Sequence, residues 1–283
     1  MTRWIELDGV VNMRDLGGLP TKHGGRTREG RLIRSDNLQD LSPADVHHLV
    51  DTLGVTDVVD LRSNTERELT GTGPLTRTPL AHHHLSFLVE DRAVRAEDAL
   101  LLDSERDVDR RSPDFWSRNY LGYLRRRPDS VAGALAAIAD SRGGTVVHCA
   151  AGKDRTGTVT ALALSVAGVP DEEIVADYAA SAERITDIVE RLIDVAPYSW
   201  GLQGRSIDEQ VPQPETMAAN LDTVVRINNN ATPEQVTQAQ IDAVASADGL
   251  LTALSPAMGE EFGTSFRDAL AEGRLPKTAY LLD

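Results

Sequence analysis

The sequence predicts an α/β fold, in which a central, mostly parallel sheet is flanked by helices and followed by a helical C-terminal extension or lid. Two observations predict this class. Short β-rich runs alternate with helix-compatible segments up to about residue 150, and this alternation is the βαβ pattern of parallel sheets. Beyond about residue 170 helix-compatible segments dominate. We expect residues 1–195 to form the α/β domain and residues 196–283 a helical extension packed on it.

The N-terminal part predicts a hairpin. Residues 4–7 and 31–35 are β-rich, and the sequence Lys-His-Gly-Gly at 22–25 between them is typical of a turn. Residues 12–18 read Asn-Met-Arg-Asp-Leu-Gly-Gly, and the two glycines permit a tight turn there. An ion pair between Arg14 and Asp15 that closes this turn is one interpretation of the segment.

A helix and a strand are predicted next. Ser42 and Pro43 are typical of a helix cap and first turn, and Asp45 suits the positive end of the helix dipole. Residues 56–61 then form a short β-rich run. A strand, a helix and a strand in succession predict parallel pairing.

Asp60 lies at the end of that predicted strand, within the sequence Asp-Leu-Arg-Ser. Two interpretations remain open for its carboxylate. It either takes part in the chemistry of a site at the strand end, or it forms an ion pair with Arg62 or Arg67. Position along the chain does not decide between them.

Three consecutive histidines, His82 to His84, raise the possibility of a metal site. Alternate residues of a strand face opposite ways, so at most His82 and His84 share a face, and no cysteine or carboxylate stands nearby at ligand spacing. We therefore expect a solvated or half-buried strand. Residues 90–112 hold eight acidic and five basic residues, which favours an exposed insertion or mobile lid, with a solvated helix face as the alternative.

The remaining chain is mostly helix-compatible. Residues 197–214 are rich in Gly, Gln and Pro and are the best candidate for a linker or flap. The predicted helices cover residues 115–124, 131–139, 156–167, 169–181, 183–194, 215–227, 233–247 and 265–271.

The segment 146–157 reads Val-Val-His-Cys-Ala-Ala-Gly-Lys-Asp-Arg-Thr-Gly and contains the single cysteine of the 283 residues. A β-branched run leads into Cys149, and an apolar helix-compatible run that follows ends at Gly168. The pattern predicts a strand, a tight loop and a helix, with Arg155 where the helix begins. Ligands of open α/β sheets bind at such strand ends.

This loop has the chemistry of an anion site. Backbone N–H groups at a helix N-terminus form a concave nest for a tetrahedral anion, and the guanidinium of Arg155 can hold two phosphoryl oxygens. The same positive field stabilises the thiolate of Cys149, which would then be a nucleophile aimed at phosphorus. The predicted phosphate-binding residues are Ala150, Ala151, Gly152, Lys153, Asp154 and Arg155.

Other interpretations of the loop fit less well. A nucleotide-binding P-loop needs a glycine where Val147 stands and a serine or threonine where Asp154 stands. A cysteine that only packs in the core does not need the Gly-Lys-Asp-Arg sequence after it. A sulfurtransferase loop is disfavoured by the Arg-Thr-Gly ending, and a non-catalytic phosphate-binding module would be expected to have lost Cys149 or Arg155.

The sequence His-Cys-Ala-Ala-Gly-Lys-Asp-Arg-Thr-Gly, together with the segments at 12–18 and 60–63, resembles the bacterial protein tyrosine phosphatase family, mycobacterial members included. This family lies within the cysteine-dependent phosphatase superfamily. The resemblance runs from about residue 5 to about residue 195 and thins at Arg-Ile-Asn-Asn-Asn, residues 226–230. It implies that residues 1–195 are a phosphatase catalytic domain, acting on phosphotyrosine or more broadly, with phosphoinositides as the alternative substrate.

The resemblance also implies roles for individual residues. Cys149 would attack phosphorus, Arg155 would bind the phosphoryl group, and Asp154 would be the general acid, with Asp60 as second choice. The supporting roles that it implies are ordering of the loop by His148, a hydrogen bond from Thr156 to the cysteine sulfur, and a brace beside the site formed by Arg14 and Asp15. This chemistry requires no cofactor and no metal.

Composition bounds the function further. Hydrophobic residues at 41% and charged residues at 26% are ordinary for a globular protein. The net charge of −15 argues against nucleic acid or an anionic membrane as the default partner, so we expect phosphorylated proteins, and as a further option phosphoinositides. With one cysteine, no signal-like N-terminus and no membrane-length apolar run, the expected location is the cytoplasm, with signal-less export left open.

Overall fold

Six strands form one sheet in the computed structural model, which describes residues 2–22, 24–89 and 113–228. In chain order they are β1 (Arg3–Trp4), β2 (Arg14–Asp15), β3 (Leu32–Ser35), β4 (Val55–Asp60), β5 (Ala81–His84) and β6 (Gly144–His148). Their order in space is β1-β2-β3-β6-β4-β5. The last four of these strands are parallel neighbours, whereas β1 and β2 pair antiparallel at one edge.

Helices surround this sheet in the part of the chain that the structure describes. They are α1 (Pro43–His47), α2 (Asn64–Thr70), α3 (Pro113–Arg126), α4 (Pro128–Asp140), α5 (Asp154–Val166), α6 (Asp171–Ala180), α7 (Ile185–Leu192), α8 (Tyr198–Leu202) and α9 (Pro214–Asn228). A π-helical turn, His48–Thr52, extends α1, and short 3₁₀ turns occupy Pro74–Arg77, Ser181–Arg184 and Ile207–Gln210. The predicted fold class, a mostly parallel sheet flanked by helices, is confirmed.

Strand β6 lies between β3 and β4, although it follows both by more than 80 residues in the chain. Its last residue, His148, is in register with Ser35 of β3 and with Asp60 of β4. The carboxyl ends of three parallel strands therefore meet at one level. The loop that follows β6 is placed at the centre of this edge.

The predicted N-terminal hairpin is only partly correct. The antiparallel partner of β3 is β2, at Arg14 and Asp15, where we expected a turn. Neighbouring residues of a strand point to opposite faces of the sheet, so Arg14 and Asp15 do not form the ion pair considered above. Asp15 instead accepts the N–H groups of Gly17 and Gly30, both at 2.9 Å.

The start of α1 has the predicted cap. The hydroxyl of Ser42 accepts the N–H of Asp45 at 3.2 Å, and the Asp45 carboxylate accepts the N–H of Ser42 at 2.9 Å. This reciprocal arrangement satisfies donors that the first turn of a helix otherwise leaves unpaired. The same device begins α2, where Ser63 and Glu66 cap each other.

Apolar side chains cover both faces of the sheet, and a third apolar cluster covers the loop after β6. In that cluster α7 contributes Ile188 and Leu192, and α8 contributes Tyr198, all packed with Ala150 of the loop. Helix α9 packs against α3 and α6, and it places Met217 in the main core. Residues from beyond position 195 are thus in contact with the sheet domain.

Some predictions fall outside the described residues. These are the insertion or lid at 90–112 and the helices at 233–247 and 265–271. The division of the chain into a domain of residues 1–195 and a helical extension stays a prediction. Within the described residues, no helix combines the length and apolar character needed to cross a membrane.

Candidate active site

Cys149 lies immediately after β6, where the chain turns into the loop that leads to α5. Cys149 is 2% exposed. The loop is bordered on one side by the residues that follow β3 and on the other by those that follow β4. This is the carboxyl edge of a parallel sheet, where open α/β folds place their ligand sites.

The surrounding scaffold binds carbonyl groups of this loop and so turns them away from its centre. Four successive carbonyls, at residues 150–153, accept hydrogen bonds from other parts of the chain. The donors are the backbone N–H of Asn37 at 3.0 Å, the side chain of Asn12 at 2.8 Å, and one guanidinium nitrogen of Arg34 at 2.7 and 3.3 Å. The C=O and N–H of a trans peptide point in opposite directions, so the N–H groups that follow face inward. Inward N–H groups form the nest that an oxyanion binds.

Gly152 lets the loop turn this tightly. Its φ is +64°, a left-handed conformation that side chains disfavour. A Cβ atom at this position would lie 2.5 Å from the backbone carbonyl of Ser35. The glycine of the predicted motif is therefore required by both the backbone conformation and the close approach of β3.

Arg155 is held by a carboxylate that sequence reasoning missed. Its two terminal nitrogens donate to the oxygens of Glu66 at 2.6 and 2.7 Å, and one of them also lies 3.3 Å from the carbonyl of Leu61. The Glu66 side chain is fully buried. The Ser63–Glu66 capping box was visible in the sequence as a helix start, but nothing in it indicated the distant arginine.

Arg155 and Glu66 each stabilise the charged form of the other. Burial lowers the pKa of Arg155, but the charges of Glu66 and Cys149 outweigh burial and hold it well above its usual value. Burial raises the pKa of Glu66, but Arg155 and the cap hydrogen bonds outweigh this effect and lower it. A guanidinium oriented from one side by Glu66 presents its remaining N–H groups to a ligand in the loop.

The two candidate general acids occupy different surroundings. Asp154 begins α5 at the rim of the loop, and its side chain is 22% exposed. Asp60 accepts from the backbone N–H of Arg62 at 3.0 Å and from the guanidinium at 3.0 and 2.8 Å, and Arg67 adds an ion pair at 3.4 Å. The ion-pair interpretation of Asp60 therefore matches its contacts.

The charge state of Asp60 follows from these contacts. Burial raises its pKa, but Arg62, together with His148 when that ring is protonated at low pH, lowers it below the usual range for an aspartate. Burial lowers the pKa of His148 to about 4, so His148 is uncharged at neutral pH and Arg62 supplies the positive charge. An ionised carboxylate has no proton to donate, which disfavours Asp60 as the general acid.

The supporting residues are placed as follows. The Nδ1 atom of His148 lies 3.4 Å from the carbonyl oxygen of Cys149, and its Nε2 atom lies 3.7 Å from Asp60. The hydroxyl of Thr156 is buried and makes no hydrogen bond within the described residues, to sulfur or otherwise. Lys153 donates to the carbonyl of Gln210 at 2.7 Å and is 4% exposed, so its ammonium is directed at the segment 197–214.

Arg14 braces the loop from behind through a second buried network. It donates to the carboxylate of Asp177 at 2.7 Å and to the side-chain oxygen of Asn12 at 2.6 Å. Arg34 shares the carboxylate of Asp177, and both Asn12 and Arg34 bind loop carbonyls. Arg14 thus supports the groups that orient the loop. Asp15 takes no part in this network.

The three histidines of β5 are each engaged separately. His82 and His84 bind backbone carbonyls, and His83 pairs with Asp57 at 2.9 Å. Across the described residues, no group of three His, Cys, Asp or Glu side chains has the arrangement of a metal site.

Comparisons with known proteins agree with this geometry. The chain matches the model of the tyrosine phosphatase family over residues 5–248. It is 34% identical over 187 residues to a provisionally named tyrosine-protein phosphatase of Cupriavidus necator, covering 64% of this chain and 63% of that protein, slightly under two thirds of its length. It is 32% identical over 210 residues to the triple specificity protein phosphatase PtpB of Mycobacterium tuberculosis, covering 67% and 73%.

One solved structure illustrates the more distant similarity. The core catalytic domain of the PP-IP phosphatase SIW14 from S. cerevisiae, in complex with citrate, is 13% identical and has a TM-score of 0.36. The match covers 81% of this chain and 98% of that chain. Similarity at this level assigns no residues.

Proposed function

This chain belongs to the tyrosine phosphatase family, and from that premise we propose that it hydrolyses phosphomonoesters of proteins, phosphotyrosine foremost, through a cysteinyl-phosphate intermediate. The observation that carries the proposal is the loop after β6. Its carbonyls at 150–153 are bound to the scaffold, its N–H groups face inward, and Cys149 and the Glu66-bound Arg155 border the same space.

In the first step the thiolate of Cys149 attacks phosphorus. The S–P bond forms with the sulfur electron pair, and the P–O bond to the substrate breaks. Inward N–H groups and Arg155 stabilise the equatorial oxygens as charge develops on them. The leaving oxygen takes a proton from Asp154.

In the second step Asp154 accepts a proton from water, and the resulting oxygen nucleophile attacks the cysteinyl-phosphate. The P–S bond breaks, which regenerates the thiolate and releases inorganic phosphate. Asp154 is suited to both steps because it lies at the partly exposed rim of the loop, while Asp60 is engaged by Arg62.

The range of substrates is proposed from a relative and from the contacts of Lys153. One relative is called a triple specificity phosphatase, which supports including phosphoserine and phosphothreonine among the proposed substrates. Phosphoinositides are the second-choice substrate, proposed because Lys153 could provide an additional phosphate contact. Because the Lys153 ammonium donates to the carbonyl of Gln210, we rank phosphoinositides below phosphoproteins. With a net charge of −15, nucleic acid is not among the proposed partners.

A substrate panel tests the function. Purified protein is assayed with a chromogenic aryl phosphate, with phosphotyrosine, phosphoserine and phosphothreonine peptides, and with phosphoinositides in mixed vesicles. We expect aryl phosphate and phosphotyrosine to be hydrolysed fastest. Folded protein that turns over none of them, yet binds phosphopeptides, would be a binding module instead, and preferential turnover of vesicle lipids would favour the phosphoinositide alternative.

Replacing Asp154 with asparagine tests the acid. We expect phenyl phosphate, whose leaving group needs a proton, to be hydrolysed about 100-fold more slowly, and an activated ester such as p-nitrophenyl phosphate to lose far less. The measurement is kcat against leaving-group pKa for the wild type and Asp154→Asn. Asp60→Asn serves as the comparison, and an equal loss for good and poor leaving groups in Asp154→Asn would remove Asp154 from the acid role.

A further inference from the structure

Helix α3 places a buried tyrosine against the proposed general acid. Tyr120 is 2% exposed, and its hydroxyl donates to Oδ1 of Asp154, 34 residues away in the chain. Its hydroxyl oxygen is also 2.7 Å from that of Tyr178 on α6. Two hydroxyl groups and one carboxylate thus form a continuous chain that ends beside the catalytic loop.

The direction of these hydrogen bonds follows from counting hydrogens. A carboxylate only accepts, so the single phenolic hydrogen of Tyr120 is used on Asp154. The bond between the two hydroxyls must then be donated by Tyr178. Burial raises the pKa of both Tyr120 and Tyr178, so each keeps the hydrogen that this arrangement requires.

The approach of Tyr178 depends on the glycine of the motif. A Cβ atom at Gly157 would lie 3.1 Å from the Tyr178 ring, closer than side chains normally pack. The absence of a side chain there lets the ring rest on the first turn of α5. The Tyr178 hydroxyl is thereby within reach of Tyr120.

The two oxygens of Asp154 are consequently not equivalent. Oδ1 accepts from Tyr120 and lies 3.6 Å from the ammonium of Lys153. Oδ2 has no hydrogen-bond partner within the described residues. A neutral donor also orients the carboxyl group without adding another charge to a site that binds a dianion.

We propose that Tyr120 is the positioning residue of the general acid: its hydroxyl holds Oδ1 of Asp154, so that the transferred proton is carried on Oδ2, and Tyr178 orients Tyr120. The inference rests on the proposed function, in which Asp154 is the acid. In the first step the proton passes from Oδ2 to the leaving oxygen. In the second step Oδ2 accepts one proton from the attacking water, so protons balance over the cycle.

Replacing Tyr120 with phenylalanine tests this inference. The ring and its packing remain, including its stacking on Tyr123 at a centroid distance of 6.2 Å. We expect kcat for phenyl phosphate to fall about tenfold with KM unchanged, and kcat for p-nitrophenyl phosphate to fall much less, because only the acid is displaced. Tyr178→Phe, which leaves the bond to Asp154 in place, should show the same pattern with a smaller loss.

A double-mutant cycle separates positioning from packing. In the Asp154→Asn background, Tyr120→Phe should cause no further loss of kcat, because the group that it positions no longer donates a proton. The same tenfold loss in that background, or equal losses for good and poor leaving groups, would overturn the inference. Thermal unfolding of each variant identifies any loss that comes from unfolding, and Tyr178→Phe provides the same test if Tyr120→Phe does not fold.

The outcomes also distinguish a failure of this inference from a failure of the proposed function on which it rests. If wild-type protein hydrolyses no phosphomonoester, both the proposed function and this inference are refuted. If Asp154→Asn shows no dependence on the leaving group, the acid assignment and the inference fail while the phosphatase remains. If Asp154→Asn shows that dependence and both tyrosine variants do not, the inference alone is refuted.

Discussion

Serine at position 149 is expected to lower turnover of an aryl phosphate by about 10⁴-fold or more. Cys149 lies at the centre of the carboxyl edge of the sheet, beside the inward N–H groups of the loop. Arg155 is close enough to Cys149 that the negative charge of the thiolate raises the pKa of the guanidinium. A serine hydroxyl is not ionised at neutral pH, so the same position would lose its nucleophile but keep its shape. Single-turnover and steady-state rates of Cys149→Ser and wild type measure the effect.

Binding provides the control for this substitution. The carbonyls at 150–153 are bound by Asn37, Asn12 and Arg34, and these hydrogen bonds do not involve the Cys149 side chain, so the loop should keep its conformation. Calorimetry with a phosphotyrosine peptide should therefore show affinity near that of the wild type. Activity that survives in Cys149→Ser would mean that another group attacks phosphorus.

Replacing Glu66 with alanine is expected to have the second largest effect, on stability and on activity together. Arg155 would remain buried without the carboxylate that holds it, and breaking a buried ion pair from one side costs about 3–5 kcal/mol of unfolding free energy. A guanidinium that is no longer oriented should lower kcat/KM by about 100- to 1000-fold. Urea unfolding and kcat/KM for an aryl phosphate measure the two effects.

The chain offers a matched control on the same helix. Glu68 is exposed and lies two residues from Glu66, so Glu68→Ala removes one carboxylate from α2 without touching Arg155. We expect it to change stability and kcat/KM little. Glu66→Gln keeps a hydrogen-bond acceptor and should fall between the two alanine variants. If Glu66→Ala matched Glu68→Ala in both measurements, Glu66 would not orient Arg155.

Local patterns along the chain were sufficient to predict the candidate site and to identify the family. The strand, loop and helix around Cys149, the cap at Ser42 and the alternation of strands and helices are all encoded within short stretches, and the structure has them. The family resemblance that these motifs indicated is confirmed by the match over residues 5–248. Hydrogen bonds between near neighbours and the periodicity of side chains carry this information, so sequence alone suffices for it.

The sequence did not predict contacts that depend on distant parts of the chain, and one interpretation was wrong for that reason. Arg14 and Asp15 suited a turn, yet they form β2, because β3 supplies their partners, Arg34 for Arg14 and Ile33 for Asp15. A phosphate contact by Lys153 stays a prediction, and its ammonium donates to the carbonyl of Gln210, a partner that the sequence did not indicate. None of these partners is adjacent in the chain, and residue types at the positions themselves do not identify them.

The sequence by itself determined the family and the strand, loop and helix around Cys149, since these depend on residues that are consecutive. Only the tertiary structure decided which groups serve them. Glu66 reaches Arg155 across 89 residues and Arg34 reaches Gly152 across 118, and both distances are closed by the insertion of β6 between β3 and β4. An ion pair or a hydroxyl chain of this kind depends on the order of strands and on helix packing. Such an interaction therefore stabilises the protein only after the sheet has formed and has brought the distant residues together.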